Sequence, residues 1–200
     1  MRVTIFDYGA GNLHSLAKAL DVPGVRVGIE ADPVRAIDTD ALVLPGVGAF
    51  GPAATCLARG RDAMRAALDA GLPCLGICLG MQLLFESSEE AGPAHRGLAV
   101  VPGHVDRLRA VRVPQIGWNA LEDAHDPLLD SAPLAVAYYA NGFVCRPDDP
   151  SVVRAWSTHE QDRFAAVVRR GRTVGVQFHP EKSSREGVRF LHAFLDEARA

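Results

Sequence analysis

The sequence predicts an α/β protein, with a mainly parallel central sheet flanked by helices and an antiparallel β elaboration in its second half. Three observations carry this prediction. Apolar strand-like segments alternate with helical ones from Arg2 to Glu86, which implies parallel strands joined by right-handed crossovers. Beyond the polar stretch 87–97 the texture changes to short strand-like pieces separated by Pro, Gly and Asp clusters, the pattern of antiparallel structure. Several of the strands end abruptly in tight glycine or His-Pro turns, the strand ends at which open α/β sheets place their sites.

Each element follows from its residues. Residues 2–7 form a short buried strand, the turn Tyr8-Gly9-Ala10-Gly11 follows, and Asn12 is a good N-cap for a helix with Leu13, Leu16, Ala17 and Leu20 at i, i+3, i+4 and i+7. Residues 25–29 are a second strand. Asp38-Thr39-Asp40 introduces a third over 41–44, which stops at Pro45-Gly46-Val47-Gly48. Residues 53–70 are helical by composition and end at Gly71, residues 74–77 are a short apolar strand, and helical spacing resumes over 79–86. In the second half the predicted strands are 98–108, 111–114, 134–139, 153–156 and 164–168. A last buried strand, 174–178, precedes His179-Pro180-Glu181, and 185–198 closes the chain as an amphipathic helix with Val188, Leu191 and Leu195 on one side.

With 200 residues and neither repeat nor linker, residues 1–200 read as a single domain, since a domain typically takes about 150 residues. Apolar residues make up 48% and charged residues 22%, so the chain has the means to build a core. The 21 basic and 24 acidic residues leave a net charge of −3, which excludes a global positive field for nucleic acid or an anionic membrane. The apolar runs are short and the N-terminus turns polar early, so the expected setting is cytoplasmic. Cys56, Cys74, Cys78 and Cys145 form no C-x-x-C pair and no zinc spacing, and no metal is expected. The arginines Arg107, Arg109, Arg112, Arg169, Arg170 and Arg172 read as exposed strand positions.

Two glycine patterns invite a nucleotide reading. Gly46-Val47-Gly48-Ala49-Phe50-Gly51 has the G-x-G-x-x-G form but follows the wrong strand, and Gly9-Ala10-Gly11 is better placed but has His14 where the third glycine belongs. Gly76-Ile77-Cys78-Leu79-Gly80 is more specific: it is a nucleophile elbow with cysteine in the reacting position, on a predicted strand-to-helix turn. A cysteine in a tight βα turn is commonly no more than a small buried hydrophobe. His179-Pro180-Glu181 changes that balance, because in an extended H-P-E the side chains at i and i+2 share a side. Glu181 then accepts the imidazole Nδ1–H and leaves Nε2 to serve the thiol. His159-Glu160 imitates this pair without a buried strand before it. The Pro45-Gly46-Val47-Gly48 turn offers backbone N–H groups for an oxyanion, a second explanation for its glycines.

These residues resemble the class I, triad-type glutamine amidotransferases, whose elbow reads G-[IV]-C-L-G-x-Q as Gly76 to Gln82 does. The resemblance runs end to end and is strongest to the branch formed by the glutaminase subunits of imidazole glycerol phosphate synthases. It is carried by Phe6-Asp7-Tyr8-Gly9-Ala10-Gly11-Asn12, Pro45-Gly46-Val47-Gly48-Ala49-Phe50, Ile116-Gly117-Trp118-Asn119 and Gln177-Phe178-His179-Pro180-Glu181-Lys182-Ser183. The resemblance implies a flavodoxin-like fold and glutamine hydrolysis through a thioester at Cys78, with His179 as base and later acid and Glu181 orienting it. It places Gly46, Val47, Gly48 and Leu79 at the oxyanion, and Gln82, Asn141, Gly142 and Phe143 at the glutamine. It implies no cofactor, and a heterodimer in which ammonia passes to a separate cyclase subunit built as a (βα)8 barrel and serving histidine biosynthesis. Asn12, Trp118, Asn119, Tyr138 and Lys182 match positions near that partner and the ammonia exit. One departure stands out: the family segment F-V-H-S-Y is Tyr139-Ala140-Asn141-Gly142-Phe143 here. A regulatory scaffold and a glutaminase of another synthase remain the competing readings, the first disfavoured by the intact triad and the second by the oxyanion turn.

Overall fold

A computed structural model describes residues 1–9 and 13–200. In chain order the first half contains β1 (Arg2–Phe6), α1 (His14–Leu20), β2 (Arg26–Glu30), β3 (Ala41–Leu44), α2 (Phe50–Leu57), α3 (Arg61–Asp69), β4 (Cys74–Ile77) and α4 (Leu79–Leu83). The second half contains β5 (Ser87–Ser88), β6 (Gly103–Arg107), β7 (Gln115–Ala120), α5 (Pro127–Ser131), β8 (Val136–Asn141), β9 (Phe143–Pro147), β10 (Val153–His159), β11 (Asp162–Arg170), β12 (Thr173–Val176) and α6 (Ser184–Arg199). The main sheet has the order β10-β11-β12-β4-β3-β1-β2. Its strands from β12 to β2 are parallel, and β10 and β11 join antiparallel at the edge. Two smaller sheets, β5-β6-β9 and β7-β8, complete the second half.

The period-two alternation of strand side chains divides the core between the two faces of this sheet. Val3, Ile5, Val43 and Ile77 face Leu16, Leu20, Phe190, Leu191 and Phe194, beneath α1 and α6. Phe6, Leu42 and Leu44 face Phe50, Leu57, Met64 and Met81, beneath α2, α3 and α4. β3, β4 and β12 are buried along their whole length, as strands covered on both faces must be. The buried face of α6 is Phe190, Leu191, Phe194 and Leu195, while Val188 is only half-buried. The cysteines divide as packing dictates: Cys74, Cys78 and Cys145 are buried and Cys56 is exposed.

Four expectations are corrected. The single helix over 53–70 is two helices: α2 ends in tight turns in which Ala58 and Gly60 donate to Thr55 and Leu57, and Gly60 passes so close to Pro33 that a Cβ would lie 2.7 Å from its Cβ. Of residues 98–108 only Gly103–Arg107 pairs as a strand. Leu98, Ala99 and Val101 instead donate their N–H groups to the carbonyls of Leu83, Phe85 and Leu84 at the end of α4, satisfying the helix terminus. Residues 111–114 form a loop, where the Glu160 carboxylate accepts from the N–H groups of Val111 and Arg112. Arg169 is not an exposed strand position: its guanidinium reaches the fully buried Asp126 and the partly exposed Glu197 at 2.6 Å each, tying β11 to α5 and α6.

The parallel strands β1, β3, β4 and β12 all point their C-terminal ends to one edge of the molecule. That edge gathers Tyr8, the turn 45–48, Cys78 and the segment 177–182.

Candidate active site

Cys78 occupies the β4–α4 junction at φ 46° and ψ −103°, a backbone conformation that a residue with a side chain adopts only when its surroundings enforce it. The flanking glycines supply that enforcement. A Cβ on Gly76 would lie 2.7 Å from the Gly80 carbonyl oxygen, and one on Gly80 would lie 2.0 Å from the Leu44 oxygen. The helix therefore starts closer to β3 and β4 than any larger residue allows. Val176 of β12 accepts the Cys78 N–H at 2.7 Å, and the Cys78 carbonyl accepts from Gln82 N at 3.0 Å. The amide of buried Gln177 donates to the sulfur at 3.5 Å.

His179 follows β12 and is buried with Glu181, their side chains 3% and 8% exposed. Nδ1 meets Glu181 Oε1 at 2.8 Å. The pairing expected from an extended H-P-E is present, but a 3₁₀ turn over Pro180–Lys182 makes it: proline fixes φ at a helical value and starts the turn. Neighbouring strands hold the segment. His179 donates its N–H to the Tyr138 carbonyl at 2.8 Å, while Ser183 Oγ donates to the His179 carbonyl at 2.7 Å and accepts from Tyr138 N at 2.9 Å. Burial would lower the imidazole pKa, but hydrogen bonds and charge attraction from Cys78 and Glu181 outweigh it and push the value up to about 10.

The turn after β3 lies directly on this pair. A Cβ on Gly46 would meet His179 Cε1 at 2.8 Å, Ile77 Cγ2 at 3.0 Å and Cys78 Cβ at 3.1 Å. Gly48 has φ +111°, a left-handed value that glycine alone adopts freely. Gly46 and Val47, with Leu13, Leu16, Glu181 and the exposed Lys182, enclose a cleft of about 370 Å³.

Of the residues matched to glutamine, the structure brings together Gln82, Asn141 and Phe143. The Phe143 carbonyl accepts from Gln82 Nε2 at 3.3 Å and from Asn141 Nδ2 at 3.1 Å. Gly142 packs near the side chains of Val113 and Pro114, and Leu79 opens α4 beside Cys78. Among the residues that the resemblance matches to a partner surface, Trp118 is 54% exposed and meets Tyr138 edge-on, ring centroids 6.1 Å apart. The Asn119 amide turns into the fold and donates to Thr158 at 2.9 Å. Asn12 lies outside the described residues. His159 contacts the Arg112 carbonyl, and its neighbour Glu160 pins the 111–112 backbone, so that pair is structural. Sequence reasoning assigned no role to Tyr8, Glu90, Gln177 or Ser183. Tyr8, Gln177 and Ser183 lie inside the quoted motifs, but their partners are distant in sequence.

Comparison with known proteins identifies the family of the chain. The family model described as "Glutamine amidotransferase class-I" matches residues 4–198. The chain is 42% identical to imidazole glycerol phosphate synthase subunit HisH of a Synechococcus strain, over 98% of this chain and 93% of that one. It is 44% identical to the Halobacterium salinarum HisH, covering 97% and 92%, and 45% identical to that of Symbiobacterium thermophilum, covering 95% and 91%. Among solved structures, a glutamine amidotransferase superposes with a TM-score of 0.76 at 20% identity, covering 99% of each chain. A chain of PurLQS from Thermotoga maritima superposes with a TM-score of 0.74 at 18% identity, covering 98% of each chain. At such identities these neighbours establish the shared fold. No helix among the described residues is long and apolar enough to cross a membrane. The chain belongs to the class-I glutamine amidotransferase family, in its group of HisH subunits of imidazole glycerol phosphate synthase.

Proposed function

We propose that residues 1–200 act as one domain that hydrolyses glutamine at Cys78 and passes the ammonia to a separate cyclase subunit with a (βα)8 barrel fold, in a heterodimer serving histidine biosynthesis in the cytoplasm. The observation that carries the catalytic assignment is the strained cysteine at a glycine-flanked elbow, with an imidazole beside it that Glu181 holds from the other side.

In this reading His179 takes the thiol proton as Cys78 Sγ attacks the carboxamide carbon. The charge that develops on oxygen is met by N–H groups of Leu79 and of the 46–48 turn. The C–N bond breaks as His179 gives its proton to the departing nitrogen, which leaves as ammonia and a thioester remains. Water then attacks the thioester, His179 takes its proton, and glutamate leaves with the sulfur restored. Gln82 and the 141–143 backbone hold the amino-acid end of the substrate. Trp118, Tyr138 and Lys182 face the partner and the exit, and Asn119 braces the same hairpin. The cyclase uses the ammonia to make imidazole glycerol phosphate and aminoimidazole carboxamide ribotide, and the lyase step is the partner's.

The experiment is glutamate release from glutamine by the purified chain, alone and with a cognate cyclase and its nucleotide ligand, for wild type and Cys78→Ala. The expected result is turnover that the cyclase stimulates and the substitution abolishes, with cyclase binding retained, because only one sulfur is lost. Near-native turnover by Cys78→Ala would overturn the assignment.

A further inference from the structure

The segment from Pro45 to Ala49 is held at both ends by groups far away in sequence. At its start, the Tyr8 hydroxyl donates to the Pro45 carbonyl. At its end, the Glu90 carboxylate accepts from Phe50 N at 2.9 Å, replacing the side-chain cap that Ala49 does not provide for α2. Tyr8 is 4% exposed and packs edge-on against Phe6, centroids 5.8 Å apart. Its surroundings are apolar enough that a phenylalanine would fill the same space, so what the hydroxyl adds is a tether to one chosen carbonyl. Burial, with the charges of Cys78 and Asp7, raises the phenol well above its ordinary value, which keeps the proton available for donation. Between the two anchors, the Gly46 backbone rests on the His179 ring and on Cys78 Cβ. Movement of the Pro45 peptide therefore shifts the turn relative to the nucleophile.

We propose that Tyr8 is a positioning residue for the oxyanion turn, fixing the Pro45 carbonyl so that the N–H groups of residues 46–48 meet the charge formed at Cys78. Tyr8 acts through the backbone and does not touch the substrate. The inference rests on the triad assignment above and adds to it the residue that sets the register of the turn.

The test compares two reactions of the same sulfur in the full-length chain with its cyclase. Glutamine hydrolysis develops an oxyanion, whereas alkylation by iodoacetamide displaces iodide from a tetrahedral carbon and develops none. For Tyr8→Phe the expected result is a fall in kcat of at least about tenfold with KM changed by less than about threefold, the split that marks a lost transition-state interaction. Alkylation of Cys78, followed by mass spectrometry of its peptide to separate it from exposed Cys56, should proceed at the wild-type rate. Glu90→Ala, which loosens the other anchor, should show the same split and serves if Tyr8→Phe folds poorly. A kcat within about twofold of wild type for both variants, or parallel loss of hydrolysis and alkylation, would overturn the proposal. Wild-type chain that releases no glutamate, or Cys78→Ala that still does, would instead remove the triad assignment and this inference with it.

Discussion

His179 shows how two neighbours reverse the effect of burial. An imidazole this enclosed ought to lose its proton below the ordinary histidine range, because the low dielectric disfavours the charged form. Cys78 and Glu181 act in the opposite direction and hold the value up to about 10. The sign of each influence leads to a prediction. Replacing Cys78 by alanine removes a hydrogen bond and a charge interaction that raise the pKa, while burial and Glu181 remain, so the imidazole pKa should fall well below 10. Histidine NMR titration of wild type and Cys78→Ala would measure this, and a His179 value unchanged by the substitution would show that Glu181 alone holds the proton. The group that raises this pKa is thus the same sulfur that, on the proposed reading, makes the bond to substrate.

At the scale of elements, the elbow demands glycine because two backbones approach each other. A Cβ at Gly80 would meet the carbonyl oxygen and carbon of Leu44 at 2.0 and 2.6 Å, and neither atom can rotate away. Gly80→Ala should therefore cost about 3 kcal/mol or more, the upper end of overpacking, and lower the thermal midpoint by roughly 10 °C. Gly28→Ala is the control, since a Cβ added there, in the exposed edge strand β2, would have no atom within 4 Å; it should leave the midpoint unchanged or slightly raised. A scan that found the two variants equally stable would contradict the close-approach argument. The same distinction separates what the sequence reveals from what it conceals. Alternating buried strands, the elbow glycines and His-Pro-Glu are local patterns, and the parallel sheet and the Cys78–His179–Glu181 cluster follow from them. The close approach at Gly60 depends on Pro33, the burial of Arg169 on Asp126 and Glu197, and the tether of Pro45 on Tyr8. Each joins residues that no local pattern relates. β9 escaped prediction because Phe143–Pro147 contains Arg146 and ends in proline, and its strand character comes from pairing with β6.

On the scale of the whole molecule, the β7–β8 sheet connects the outer surface to the site. One of its faces carries Ile116, Trp118 and Ala120 opposite Ala140, Tyr138 and Val136, and most of these apolar side chains are exposed. A contiguous apolar patch of this kind marks a docking surface, and here the proposed occupant is the cyclase. The outer edge of β8 is bound to the segment that carries His179, since the Tyr138 carbonyl accepts the His179 N–H and Tyr138 N donates to Ser183 Oγ. On the proposed reading, a partner pressing on Trp118 and Tyr138 acts on the strand whose backbone holds His179, a short mechanical route for stimulation. Trp118→Ala tests the docking half of this argument. A large aromatic near the centre of an interface is the kind of residue whose truncation costs about 2 kcal/mol or more, roughly thirtyfold in affinity. The half-exposed side chain contributes far less to the fold, so the thermal midpoint of the isolated chain should move little. Titrating labelled cyclase against wild type and Trp118→Ala would give the affinity, and glutamate release at rising cyclase concentration would show stimulation returning once the weakened complex is saturated. Unchanged affinity would place the cyclase on another face, and lost stimulation at saturation would show that Trp118 transmits the signal as well as holding the partner.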